Sequence, residues 1–272
     1  MPESRDNDEV LAEPPAPHRT AAALTSRALA WTYHEPEWMG ATEERWAHGT
    51  IYRHPEFPNL SDLNSLRVRE ATTMTAPELF AFAEDELGGY VHRRIHFDST
   101  AFAAPHREYF AARGFMTFGL TLMHFEGQRP AEPDPAVREV EYDTVAPLRV
   151  RWHHEDFGED DDPTAFHAEG RIVHMRLGER TLAVFDDGQP IAFAGLDLGD
   201  DELEIAGLYV VPEHRGHGLG TALTQSALAS AGTEYVWICA EEAGRPKHLY
   251  ARLGFRPVLT TEMFLRLLPQ AD

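Results

Sequence analysis

Arg215-Gly216-His217-Gly218-Leu219-Gly220 is the stretch whose spacing most restricts the chemistry this chain can do. It joins an apolar run, Leu203 to Val211, to a helix-forming run from Leu219 to Ala231. Glycines at alternate positions permit positive φ angles and let a ligand approach the backbone with no Cβ in the way. A helix starting directly after the turn aims unpaired N–H groups and its positive dipole end back at it. That makes an anion site, most simply one for a phosphate. A P-loop needs four residues between its glycines and then Lys with Ser or Thr, and the dinucleotide fingerprint needs G-x-G-x-x-G; neither pattern is present.

Other reactive residue types lack such a pattern. His153, His154, Glu155 and Asp156 are consecutive and mostly point apart at a helix end, which does not suit a metal. His92 and His96 share one face of a predicted strand without a third ligand. Cys239 is the single cysteine, so no intramolecular disulfide is possible. At the end of an apolar strand it reads as inert core, because an activated thiol needs an exposed, electropositive setting.

Arg-Gly-x-Gly-x-Gly after a strand ending in Val-Pro resembles the acetyl-CoA pyrophosphate loop of the GCN5-related N-acetyltransferases (GNATs). Tyr250 followed by Gly254-Phe255 resembles the family's second recognisable segment. The resemblance covers Val137 to Leu268 and implies the GNAT fold there. It also implies a cofactor cradle from Arg215, Gly216, His217, Gly218, Leu219, Gly220 and Thr221. Main-chain groups of Leu208, Tyr209, Val210 and Val211 would hold pantetheine and the acetyl oxygen, and Tyr250 would lie near the CoA sulfur as general acid. A carboxylate on the strand before the loop often serves as base in relatives. Period-two geometry puts Glu202 and Glu204 on one face of that strand; Glu204 is the first choice, with a solvated edge carboxylate as the alternative. His174 and His167, on the helix expected to cover the pocket, are alternative bases or pocket residues. Ala243 stands where the family often has Asn, so Arg245 or Lys247 would take over contacts at that end.

The elements that must position these groups read as an α/β chain with a mixed sheet. After Val137 to Tyr142 come helices near Ala146 to His154 and Pro163 to Arg176, separated by an acidic loop, Glu155 to Asp162. Strands Thr181 to Phe185 and Ile191 to Leu198 flank the hairpin turn Asp186-Asp187-Gly188-Gln189. Glu202 to Val211 is a third strand. The glycine turn and its helix follow, then Tyr235 to Cys239, a helix from Arg245 to Arg252, and Met263 to Leu268 closing the sheet. Earlier in the chain, residues 1–19 read as a disordered acidic, proline-rich tail and Thr20 to Trp31 as a helix. Strands are predicted at Gly49 to Arg53, Leu66 to Arg69, Tyr90 to Phe97 and Phe115 to Phe125. Helices are predicted at Thr75 to Leu87, with Thr75 as N-cap, and at Arg107 to Arg113.

Residues 107–115 echo residues 247–255, each copy preceded by a helix and a strand at similar spacing, which predicts an internal repeat. The expected organisation is a degenerate, incomplete GNAT-like domain over 20–126, a linker over 127–136 and a catalytic GNAT domain over 137–272. The first copy has Ala71 to Thr75 in place of the glycine turn and Phe110 in place of Tyr250. It should therefore bind no CoA, and should support the second domain and shape the acceptor pocket.

The formal charge of −21 disfavours nucleic acid and anionic membranes and favours cationic partners such as amines. No run approaches the ~18 apolar residues of a membrane span, and the N-terminus lacks a secretory pattern, so a cytoplasmic location is expected. The family resemblance, with this charge, implies acetyl transfer from acetyl-CoA, without a metal, to a primary amine of a small molecule or an amino terminus. The chain is expected to act as a monomer. The alternatives are a non-catalytic CoA-binding sensor or interaction protein, and an acyltransferase using a longer acyl-CoA.

Overall fold

A computed structural model describes residues 20–268; the expected tail at 1–19 lies outside the described residues. Its centre is a single sheet of eleven strands in the order β1-β2-β3-β4-β11-β5-β10-β9-β8-β7-β6. The first half supplies β1 (Thr42–Trp46), β2 (Gly49–Arg53), β3 (Ser65–Val68), β4 (His92–Phe97) and β5 (Met116–Phe125). The second half supplies β6 (Val137–Val140), β7 (Arg180–Asp186), β8 (Gln189–Leu198), β9 (Glu202–Val210), β10 (Tyr235–Glu241) and β11 (Phe255–Leu267).

Strand β11 does not close the sheet of its own half, as the sequence suggests. It lies between β4 and β5, while β5 lies between β10 and β11, all antiparallel. Each half thus gives its final strand to its neighbour. The pattern around the centre is two-fold: β3 runs parallel to β4 as β9 does to β10, and β2 is antiparallel to β3 as β8 is to β9. The helices before β5 and β11, α5 (Arg107–Ala111) and α9 (Pro246–Leu253), place Phe110 against Phe115 at 5.0 Å and Tyr250 against Phe255 at 6.2 Å. The echo between residues 107–115 and 247–255 therefore marks equivalent places in the topology. Across the joint, Arg107 donates two 2.6 Å hydrogen bonds to the buried carboxylate of Glu262.

Local chemistry explains most element ends. Helix α3 (Ala76–Glu86) starts at a capping box in which Thr75 and Glu78 satisfy each other's backbone groups. Asp187 and Gly188 both take positive φ in the turn joining β7 to β8, as a two-residue hairpin requires. Two strands depart from expectation. Strand β11 begins at Phe255, eight residues before Met263, because the sheet absorbs Pro257 through an irregularity between Pro257 and Leu259. Strand β1 carries the charged sequence TEERW at a sheet edge and shows no apolar alternation. The expected linker is packed against the second half: Arg129 donates to the carbonyls of Ala231 (2.6 Å) and Thr233 (2.5 Å).

Both faces of the sheet are covered. Helices α3 and α5 pack on one face in the first half, and α8 (Leu219–Ser230) and α9 on the same face in the second, over Leu203, Ile205, Val236 and Ile238. On the opposite face lie α1 (Ala21–Trp31), α2 (His34–Trp38), α6 (Ala146–Phe157) and α7 (Thr164–Leu177). The segment 54–64 reaches across from the first half, packing Phe57, Leu60 and Leu63 against Val173 of α7. No helix among the described residues is long and apolar enough to cross a membrane.

Candidate active site

Strands β9 and β10 run side by side only from Glu202 and Tyr235 to Ile205 and Ile238. Beyond that point β9 continues to Val210 and β10 to Glu241 without pairing, so a cleft opens between them. The cause is local to β9. Its register with β8 slips between Phe193 and Gly195, where Gly207 adopts a φ of +54° and creates a bulge. A Cβ at Gly207 would stand 3.5 Å from the Trp152 ring. Gly207 was not among the sequence candidates, although a glycine inside an apolar strand is a recognisable bulge signal. The bulge frees main-chain groups of Leu208 and its neighbours on the cleft side.

The glycine turn lies at the end of this cleft. Gly216 and Gly218 have φ of +83° and +84°, and a Cβ built on either would meet nothing within 4 Å. These glycines are thus required by backbone conformation, and they leave open space above the turn. Gly218 caps α8, with Leu219, Gly220 and Thr221 forming its first turn. A pyrophosphate fits this arrangement, since the first N–H groups of a twelve-residue helix face that space. The side chains nearby are otherwise engaged. Arg215 donates to Val210 O (2.9 Å) and to Glu155 (2.8 Å), while His217 Nδ1 lies 3.2 Å from His214 O. The Tyr209 hydroxyl donates to Glu155 at 2.5 Å, and Val211 is buried beneath α6. Lys247, one of the two cations expected at that end, is paired with Glu242 at 2.6 Å.

Glu204 faces a cavity of about 250 Å³ on the α1/α2 side of the sheet. Its Oε2 accepts a 2.5 Å hydrogen bond from Trp31 Nε1. Protein surrounds the carboxyl closely, and burial raises it to about 7, against which the Trp31 bond acts only weakly. Three further carboxyls line the cavity: Asp62, Glu35 and Asp197. Burial raises both Asp197 of β8 and Glu35 of α2 well above the ordinary carboxylate range. For Asp197 the repulsion of Glu179 and Glu204 adds to this, and for Glu35 that of Asp62 and Glu179. This grouping is not legible from local residue patterns, because Trp31, Glu35, Asp197 and Glu204 converge only once the sheet is assembled. A second lobe of about 280 Å³ shares Glu35 and Asp62 with the first and runs between α6 and α7, past Trp152, His167 and Glu179.

Cys239 opens onto this cavity and is not core, a correction that follows from its place on the Trp237 face of β10. Burial, reinforced by Glu204, pushes the thiol up to about 12, which keeps it protonated at neutral pH. Tyr250 is buried under α8, its phenol raised to about 12 by burial and by Cys239 beyond the sheet. Its hydroxyl makes no hydrogen bond among the described residues. His167 lines the second lobe, where burial lowers it to about 4. His174 instead pairs with Glu179 at 2.8 Å, away from the cavity beside β9. Glu202 is bound to Arg27 at 3.1 Å, which leaves Glu204 as the strand carboxyl that faces the cavity without a cationic partner. Among the described residues no group of three or more His, Cys, Asp or Glu is placed to hold a metal.

Residues 142–255 match the Acetyltransferase (GNAT) family. Uncharacterized N-acetyltransferases of Mycobacterium bovis and Mycobacterium tuberculosis are 35% identical over 80 residues, covering 28% of this chain. The chain spans about half the length of these curated relatives, 51%. A conserved protein from Staphylococcus epidermidis, described as functionally unknown, shares the fold over 87% of this chain and 98% of its own, with a TM-score of 0.60 at 17% identity.

Proposed function

The chain belongs to the GNAT superfamily of N-acetyltransferases, and on that premise we propose that it transfers an acetyl group from acetyl-CoA to a primary amine. The reading rests chiefly on one observation: β9 and β10 part beyond Ile205 and Ile238, directly between the glycine turn and Glu204. A cofactor entering over Gly216 and Gly218 would run along the freed edge of β9, past Leu208 to Val211, toward the carboxyl.

Acetyl-CoA, when bound, supplies the activated thioester. The chain's residues supply charge, orientation and proton movement. The turn Arg215–Gly220 and Thr221 hold the pyrophosphate through main-chain N–H groups. Glu204, ionised near pH 7, takes a proton from the acceptor ammonium, directly or through a water, and leaves a neutral nitrogen. That nitrogen forms the new C–N bond as the C–S bond breaks. The departing sulfur takes a proton from Tyr250, whose raised value keeps the phenol protonated until that moment, while the proton the nitrogen loses on becoming an amide passes to water, from which the phenolate is reprotonated. The first half acts as support: α1, α2 and segment 54–64 roof the acceptor cavity, while Ala71 to Thr75 and Phe110 stand where a second cofactor site would need glycines and a phenol.

Thiol release from acetyl-CoA in the presence of mixed primary amines tests the proposal. Gly218→Trp should abolish CoA binding by filling the space above the turn. Unchanged CoA affinity in the folded variant would refute the cradle, and CoA binding without turnover of any amine would leave a sensor instead of an enzyme.

A further inference from the structure

The cavity beside Glu204 is polarised along its length. Its second-half end carries Glu204 and Asp197, from β9 and β8, with Glu35 in the roof. Its first-half end carries Arg67 and His96, register partners on β3 and β4, with Arg94 two residues before His96 on the same face. Two of these groups hold hydrogen-bonding capacity that nothing in the protein uses. His96 is only 5% exposed, yet neither ring nitrogen has a partner. Arg67 is also 5% exposed; its terminal nitrogens donate to Thr32 O (2.7 Å) and Oγ1 (2.9 Å) and, at 3.5 Å, to the buried Asp98, but its Nε has no partner among the described residues. Buried donors are normally hydrogen-bonded, so two unmet ones side by side on a cavity floor mark a place where a ligand oxygen is expected.

The other cations on this floor are engaged. Arg94 is held by Asp62 and, at 3.2 Å, by Ser61. Burial and the neighbouring Arg67 push His96 well below the ordinary histidine range, so its ring is neutral and offers one N–H donor. At the opposite end Arg149 acts on Asp197 and Arg94 on Glu35 without forming an ion pair among the described residues, and a positive group there would relieve the repulsion between these carboxyls and Glu204.

On the reading that this cavity takes the acceptor, we propose that the acceptor is an amino carboxylic acid and not a simple amine. Its reacting ammonium lies against Glu204 and its carboxylate against Arg67 Nε and His96. Strands β9 and β4 are separated by β10, β5 and β11, so at about 4.8 Å per step their backbones lie roughly 19 Å apart. After side chains reach in from both ends, the remaining span is roughly 8–10 Å, the length of an extended chain of about six or seven bonds. The acceptor is thus a linear ω-amino acid or the side-chain amine of a basic amino acid. The first half earns its retention by supplying the carboxylate subsite.

The test compares three acceptors with the full-length protein and acetyl-CoA: 6-aminohexanoate, hexylamine and 1,6-diaminohexane. Calorimetry of 6-aminohexanoate with CoA present gives a readout independent of turnover. We expect kcat/KM for 6-aminohexanoate to exceed that for either other amine at least tenfold. His96→Phe, checked for folding by its melting transition, should lower the ratio over hexylamine about tenfold, as expected for losing a charge-assisted hydrogen bond. Equal or better use of hexylamine or the diamine by the unaltered protein overturns the inference while acetyl transfer stands. Binding of 6-aminohexanoate without acetylation of any amine supports the subsite and defeats the transferase reading. Neither binding nor turnover defeats both.

Discussion

Replacing Glu204 with Gln should make the protein more stable and less active, and the size of the first effect depends on pH in a way that isolates this one carboxyl. Its ordinary value is 4.5 and the folded protein raises it to about 7. At 1.36 kcal/mol per pH unit, that is a preference of about 3 kcal/mol for the protonated form. The folded state therefore holds this proton more tightly than the unfolded chain. The associated stability is fully present below pH 4.5 and is lost as pH rises through 7. At pH 8 the unaltered protein bears the ionised carboxylate in its enclosed site, whereas Gln keeps a carbonyl for Trp31 Nε1 and carries no charge. With relaxation and cavity water reducing the full figure, Glu204→Gln should gain about 2 kcal/mol at pH 8, or about 4–8 °C in Tm, and nothing at pH 4. Glu35 and Asp197 titrate in both proteins and largely cancel from the comparison. Turnover should fall by about 100- to 10,000-fold, the range for losing a general base. Calorimetric melting from pH 4 to 8 with steady-state thiol release measures both. Melting curves that stay parallel across that range would refute the buried, raised carboxyl, and retained kcat would refute its role as base.

Other outcomes follow from the same geometry. In the unaltered protein kcat/KM should rise with unit slope through about pH 7 as Glu204 ionises; a flat profile from pH 6 to 8 would argue against it. Tyr250→Phe should lower kcat about 10- to 100-fold with little change in CoA affinity, and full activity would make Tyr250 a packing residue. Arg107→Ala leaves the 3%-exposed carboxyl of Glu262 without its two-point partner and should cost about 3 kcal/mol in urea denaturation. A loss below 1 kcal/mol would show that water reaches Glu262 and that the pair does not secure the joint.

What could be read from the sequence was what is coded locally. The glycine turn, the Asp187-Gly188 hairpin and the Thr75 capping box each depend on a few adjacent residues, and all lie where their chemistry puts them. Glu204 was reachable through strand periodicity, which fixes its face though not its surroundings. The acceptor cavity was not reachable, because Trp31, Glu35, Arg67, His96, Asp197 and Glu204 come from six separate elements. The strand exchange was equally hidden. Residues 255–267 carry the same apolar pattern whichever neighbour they pair with, and Pro257 makes the start of that strand look like a loop. Cys239 shows the converse limit: an apolar run identifies a strand, but an end residue can face a polar cavity as easily as a core.

The interchange of β5 and β11 also bears on how the molecule is made. Among the described elements β11 emerges last during synthesis, yet its place is near the middle of the sheet. Until it arrives, β4 and β5 present unpaired edges, and the edge of β10 away from β9 is joined by a strand synthesised more than a hundred residues earlier. Folding one half at a time from the ribosome would leave those edges open to pairing with other nascent chains. Emergence of β11, not completion of the first half, therefore sets the earliest moment at which either half can become native.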